Sequence, residues 1–232
     1  MTGIVALLQP NEVALFTDGA YLDYAGKMVH VASKVLLMPE WPGAIACRGP
    51  SQFIWTIRTH WDGAVGSLDD ALERVLDDAQ LFQKVFEMHR HQKSEWELVL
   101  VGWSHERQAF EVWDVHGGPV SPYTDHPPLT LRKMMSPVGA WPTPDQKRLD
   151  ALQADLGAGE RPHPHQVAAM LMQAMRESEL PDPRNPAVKQ HNIGGFIQRA
   201  VIDHQACSTD IIHRWPDEKG KSINPFPPEQ AP

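Results

Sequence analysis

Four residues in the first fifty have the types and spacing of an acyl-transfer centre. Thr2 offers a hydroxyl one residue from the start of the chain. Asp18 offers a carboxylate sixteen residues later, and Lys34 an ammonium sixteen residues beyond that. A threonine at an amino terminus is an unusual nucleophile. Its own α-amine, with an unperturbed pKa of about 7.7–8.0, can take the hydroxyl proton without a histidine. This chemistry requires that Met1 be removed, and the small Thr2-Gly3 start suits that removal. Lys34 would raise the local positive potential, favouring a deprotonated hydroxyl and a neutral amine. Asp18 would pair with Lys34 and hold it in place. Gly49, with no side chain in the way, would turn a backbone N–H toward a developing oxyanion.

Each of these residues lies at the edge of an apolar, strand-like run. Gly3 to Leu8 and Val13 to Phe16 read as two strands joined by a Pro-Asn turn. Met28 to Val31, Lys34 to Met38 and Ala44 to Cys47 continue in the same style, so five short strands and a mostly antiparallel sheet are expected. Ser51 to Trp61 reads as a short helix. Ser67 then caps a longer one, with acids at Asp69 and Asp70 and apolar residues at three- and four-residue steps from Leu68 to Phe86. Trp96 to Trp103 and Ala109 to Val115 form a hairpin pattern, and one strand is expected around Leu129 to Met135. Helices follow at Asp145 to Leu156 and Pro162 to Glu179, then a three-proline loop to Gln190. Strands at Phe196 to Ile202 and Thr209 to Trp215 close the pattern. Strands, helices, strands, helices and strands in that order imply an α+β protein of two packed sheets covered by helices.

The stretch from Thr2 to Pro50 resembles the N-terminal nucleophile (Ntn) hydrolases of the proteasome β-subunit and bacterial proteasome-like peptidase type. Thr2, Asp18 and Lys34 match in identity and in spacing from the threonine. Gly49 lies one position beyond the family's glycine turn, and Arg48 occupies the nearer place. The resemblance implies a four-layer α-β-β-α sandwich. It also implies a threonine-type hydrolase that cleaves peptide or protein substrates at amide bonds, works as a homo-oligomer and uses no cofactor. Two features depart from the family. Met135-Ser136-Pro137-Val138-Gly139 stands where a Gly-Ser-Gly turn is usual, and Gln190-His191-Asn192-Ile193 precedes Gly194-Gly195 where an acid and a serine are usual. These departures keep a second reading open, that of a non-catalytic proteasome-like structural or assembly subunit. An amidase of the same superfamily acting on small amides is a third.

Composition narrows the rest. The chain has 232 residues, 42% apolar and 22% charged, enough for a sizeable core. A formal net charge of −8 argues against general nucleic-acid binding. No apolar run is long enough to cross a membrane, and no basic-then-apolar leader is evident, so a cytoplasmic setting is expected. Cys47 and Cys207 supply no disulfide framework, and Cys47 reads as a small buried residue. The histidine pairs His89/His91 and His163/His165 lack the partners of a familiar zinc site, so no metal is expected. Residues 1–215 are expected to form one domain, and the proline-rich segment 216–232 a loose tail.

Overall fold

The computed structural model describes residues 2–23, 25–90, 95–118, 126–157, 162–182 and 185–226. The chain opens with strands β1 (Ile4–Leu8), β2 (Glu12–Asp18), β3 (Ala20–Leu22), β4 (Met28–Val31), β5 (Val35–Met38) and β6 (Gly43–Arg48). Helices α1 (Ser51–Trp61) and α2 (Leu68–Arg90) follow, then β7 (Trp96–Ser104), β8 (Ala109–Gly117), β9 (Arg132–Lys133) and β10 (Val138–Trp141). Helices α3 (Gln146–Gly157) and α4 (Pro164–Glu177) lead to β11 (Leu180–Asp182), β12 (Asn185–Gln190), β13 (Phe196–Asp203) and β14 (Cys207–Arg214). The fold is therefore mixed α+β. Its two larger sheets are antiparallel, with strand orders β10-β1-β2-β13-β14 and β5-β6-β7-β8-β9.

Strand alternation sorts most of the apolar residues into three larger clusters. In β1, Ile4 and Ala6 point one way and Val5 and Leu7 the other, and all four are buried. Ile4 and Ala6 join Val13, Leu15, Ala200 and Ile202 against Ala44, Ala46, Val99, Val101 and Val112 of the second sheet. Val5, Leu7, Ala14 and Phe16 pack on Leu152 of α3 and on Ala168, Leu171, Met172 and Met175 of α4. On the second sheet, Ile45, Leu98 and Val115 pack on Phe53, Ile57 and Trp61 of α1 and on Leu68, Val75 and Phe82 of α2. Burial on both faces is why β1 reads as an unbroken apolar run rather than an alternation.

The helix starts follow their local chemistry. The Ser67 hydroxyl accepts the Asp70 N–H at 3.0 Å, ahead of the acidic first turn of α2. His163 caps α4: its Nδ1 accepts the His165 N–H at 3.3 Å, while the Gln166 side chain accepts the His163 N–H at 2.9 Å. The other member of that pair, His165, lies 2.9 Å from a Glu12 carboxylate oxygen. One histidine of the pair thus caps a helix and the other sits beside a carboxylate.

Three expectations are corrected. The proline-rich stretch after α4, read as a loop, contains the two-stranded ribbon β11–β12. Both are outer strands of a two-stranded sheet, the position in which a residue lacking an N–H is tolerated. The strand expected around Leu129 to Met135 shrinks to the two residues of β9, while β10 adds an edge beside β1. The tail expected from Pro216 onward is docked as far as Phe226. Asp217 pairs with buried Arg176 at 2.7 Å, the Met28 N–H donates to the Lys221 carbonyl at 2.9 Å, and Ile223 is buried against Ala20 and Met28. Residues 227–232 and His91 lie outside the described residues.

Candidate active site

Asp18 ends β2 and is fully buried. A carboxylate removed from water must be met by donors or charge. Here the Gly3 N–H donates to Oδ1 at 2.9 Å, and the Ala20 and Gly194 N–H groups donate to Oδ2 at 3.1 and 3.2 Å. The Lys34 ammonium donates to both oxygens, at 2.9 and 3.0 Å. Asp18 therefore joins four separate points of the chain: the start of the first sheet, the turn into β3, the segment ahead of β5 and the turn ahead of β13.

Lys34 is 3% exposed. Burial pulls its ammonium below the ordinary lysine range, and Asp18 pulls it back up through charge and hydrogen bonds. Its backbone carbonyl accepts the Cys47 N–H at 3.3 Å, fixing it beside the end of β6. The Tyr21 ring centroid lies 5.1 Å from the ammonium, a cation–π contact. Burial, then the nearby Cys47 and Asp18, push the Tyr21 phenol up to about 12. Burial also pushes the Cys47 thiol up to about 12, which keeps it a protonated, inert group at neutral pH.

Thr2 precedes the residue whose N–H holds Asp18, and it is itself 4% exposed. Strand pairing of Ile4 with Thr17 and the Asp18 N–H bond to the Gly3 carbonyl at 3.3 Å carry the ladder to within one residue of it. Thr2, Asp18 and Lys34 are thus brought to one end of the first sheet.

Gly49 takes no part in the hydrogen bonds just described. It is exposed, with φ +132°, and a Cβ there would come within 2.7 Å of the Glu95 carbonyl oxygen. Only glycine adopts that backbone so close to the neighbouring chain. Arg48, one residue earlier, is turned inward. Its Nε donates to Glu97 at 2.8 Å, and both residues are buried. Burial raises the Glu97 carboxyl above the usual range, while Arg48 draws it back down.

Some neighbours of the site escape sequence reasoning. Ser136, the hydroxyl that stands in the family's Gly-Ser-Gly turn, sits by the far end of β1, where the adjoining Pro137 carbonyl accepts the Leu8 N–H at 2.8 Å. Trp141 pairs with Ile4, so it is Thr143, two residues on, that leaves the sheet at the Thr2 end. A strand with proline on both sides hides that approach in the sequence. Tyr21 and the Gly194 N–H are likewise found only from the fold, because 176 positions separate Gly194 from its acceptor.

A cleft of about 830 Å³ is lined by Tyr21, His30, Ser33, Trp55, His60 and Phe82 among others, while Thr2, Asp18 and Lys34 are not in its wall. Tyr21 stacks on His30 at 4.4 Å, and its hydroxyl donates to the Ser33 carbonyl at 3.3 Å. The cleft wall is thus one residue from Lys34.

Solved structures share this arrangement of elements. Anbu (ancestral beta-subunit) from Yersinia bercovieri superposes with a TM-score of 0.58 at 11% identity, covering 91% of this chain and 87% of that one. The fold is similar to that of Anbu. A Gly-1 mutant of Anbu from Hyphomicrobium sp. strain MC1 gives a TM-score of 0.56 at 11% identity, over 94% of this chain and 89% of the other. No protein-family model matches the chain, and no curated protein matches it. The likeness to Anbu therefore speaks to the path of the backbone, and the chemistry must be argued from the side chains above. Among the described residues, no helix is long and apolar enough to cross a membrane.

Proposed function

We propose that this chain is a proteasome-like threonine hydrolase that cleaves peptide (amide) bonds with Thr2 as nucleophile, once Met1 is removed. The observation that carries the reading is the buried Asp18–Lys34 pair, fastened by the Gly3 N–H one residue from Thr2. The three apolar clusters fit a four-layer α-β-β-α sandwich of the Ntn type, a single domain onto which the segment after residue 215 is docked as far as Phe226. The likeness to a beta-subunit supports assembly as a homo-oligomer, and the reading includes a cytoplasmic home.

In this reading the freed Thr2 amine accepts the Thr2 hydroxyl proton, and Oγ attacks the scissile carbonyl carbon. Lys34 holds positive potential over the developing negative charge, and Asp18 keeps the lysine in place. The Gly49 N–H is the candidate oxyanion donor. Collapse of the tetrahedral intermediate breaks the C–N bond, returns the proton to the leaving amine and leaves an ester on Oγ. Water, deprotonated by the same amine, hydrolyses that ester. The aromatic cleft beside Tyr21 suits an apolar or aromatic side chain next to the scissile bond.

Intact-mass measurement tests the premise, since a chain that retains Met1 cannot act this way. The Thr2→Ala protein is expected to lose peptide hydrolysis, and full retention of activity would overturn the proposal. A second reading, an inactive structural or assembly subunit, draws on the missing acid and serine ahead of Gly194. Covalent labelling of Thr2 by an electrophilic peptide would exclude it.

A further inference from the structure

Strand β14 closes one edge of the first sheet, paired on one side with β13 and on the other with nothing among the described residues. Its sequence is Cys207-Ser208-Thr209-Asp210-Ile211-Ile212-His213-Arg214, and every residue after Cys207 is exposed. Ile211 and Ile212 are 43% and 36% exposed. No proline or lysine interrupts the eight residues, and what shapes this edge is the charged pair Asp210 and Arg214 and a bulge at Ile212.

The register of this strand makes it complementary to itself. Arg199 pairs with Asp210 and Ile197 with His213, because the bulge between Ile197 and Gln198 leaves β14 one extra residue. Asp210 and His213 are three apart in sequence, yet their partners on β13 are two apart. They therefore share a face and a hydrogen-bonding phase. Asp210 is already aimed along the sheet by Arg199, at 3.0 and 2.9 Å, and His213 stands edge-on to Trp215 with centroids 5.5 Å apart.

From this we infer that β14 is a docking surface for β14 of a second copy of this chain, joined antiparallel about a two-fold axis between Ile211 and Ile212. In that register Asp210 faces the partner's His213, and His213 faces the partner's Asp210. Ile211 and Ile212 face each other across the axis, and Thr209 faces the partner's Arg214. Acid meets base, apolar meets apolar, and no like charges oppose. The two sheets would join into one continuous sheet of twice the width. The inference rests on the homo-oligomer reading above and names its surface, and it does not draw on Thr2.

Sedimentation equilibrium of the full chain across the micromolar range tests it. The wild-type protein is expected to show a dimer. The Ile211→Lys/Ile212→Lys protein is expected to bind itself at least about tenfold more weakly with an unchanged far-ultraviolet spectrum, given cross-strand terms of about 0.2–1 kcal/mol per pair. A Cys207→Ser/Ile211→Cys/Ile212→Cys protein reports the register: oxidation should yield a covalent dimer, and Cys207→Ser/Ser208→Cys should not. A wild-type oligomer indifferent to the lysine pair, with no crosslink, overturns this surface and leaves the homo-oligomer reading standing. A monomer at every concentration overturns both, and leaves the edge to a strand from another protein.

Discussion

Lys34 and Asp18 are bound to each other so completely that neither can be changed alone without consequence. Removing one partner of a buried ion pair leaves a charge that the interior cannot solvate, at a cost of about 3–5 kcal/mol. Lys34→Met is expected to lose stability on that scale in urea unfolding. The Asp18→Asn/Lys34→Met double should recover much of it while remaining inactive, which separates the pair's structural part from its chemical one. Cys47 gives a pH signature. Its folded pKa of about 12 lies above the free value of 9.0, so its contribution is complete below pH 9 and disappears as pH rises toward 12. With about 1.36 kcal/mol per pKa unit, the loss is on the order of 4 kcal/mol at most. Tyr21 acts in the same direction between 10.0 and about 12. Lys34 acts oppositely, because a lysine depressed by burial favours the fold as pH rises toward 10.5. Comparing Cys47→Ala with wild type isolates the thiol: the variant's stability should fall less steeply between pH 9 and 12. The pairing of Asp18 with Lys34 was legible in the sequence because residue type and a repeated spacing sufficed. Tyr21 and Thr143 were not, because their relevance depends on which strand end they stand beside.

At the level of elements, five strands of the first fifty residues and the start of α2 could be anticipated from apolar runs and the Ser67 cap, and α4 from its apolar face. What escaped were short pieces with weak patterns: the three residues of β3, the four of β10 between prolines, and the β11–β12 ribbon. Such strands exist because a neighbour offers an edge, and a neighbour is not visible in a window of sequence. The turn at Gly194-Gly195 joins two elements that sequence reading leaves unconnected. The Gly194 N–H donates to Asp18, and the Gly195 N–H donates to Asp217 at 2.8 Å. Gly195 has φ +78°, and a Cβ there would come within 2.6 Å of Val31. Gly195→Ala is expected to cost at least about 1–2 kcal/mol from the left-handed backbone alone, measurable by thermal unfolding. If the turn positions Asp18, the variant should also label more slowly with an electrophilic peptide. Equal labelling would confine Gly195 to a structural part.

Across the whole molecule, the segment after β14 is the largest departure from expectation. Its composition is that of a loose tail, yet it spans from α4 to β4. Arg176, 2% exposed, donates to both Asp217 oxygens, to the Ile193 carbonyl at 3.0 Å and to the Asn224 carbonyl at 3.2 Å, and it stacks over Trp215. Composition could not reveal this, because one buried arginine decides it and its partner lies 41 residues away. A chain ending at Trp215 would leave that arginine uncompensated, a loss of about 3–5 kcal/mol. Urea unfolding of the 1–215 protein beside the full chain measures it. Asp217→Ala, which removes only the carboxylate, should account for most of the difference. The same geometry bears on how the chain is made. Asp18 emerges early in synthesis, but one of its donors belongs to Gly194, and the turn that carries it is fastened by Asp217. During translation the carboxylate waits, incompletely held, until the Gly194 turn and the Asp217 that fastens it have both been made. On the proposed reading, a nascent chain would stay silent until residues some two hundred positions beyond Asp18 have joined the fold.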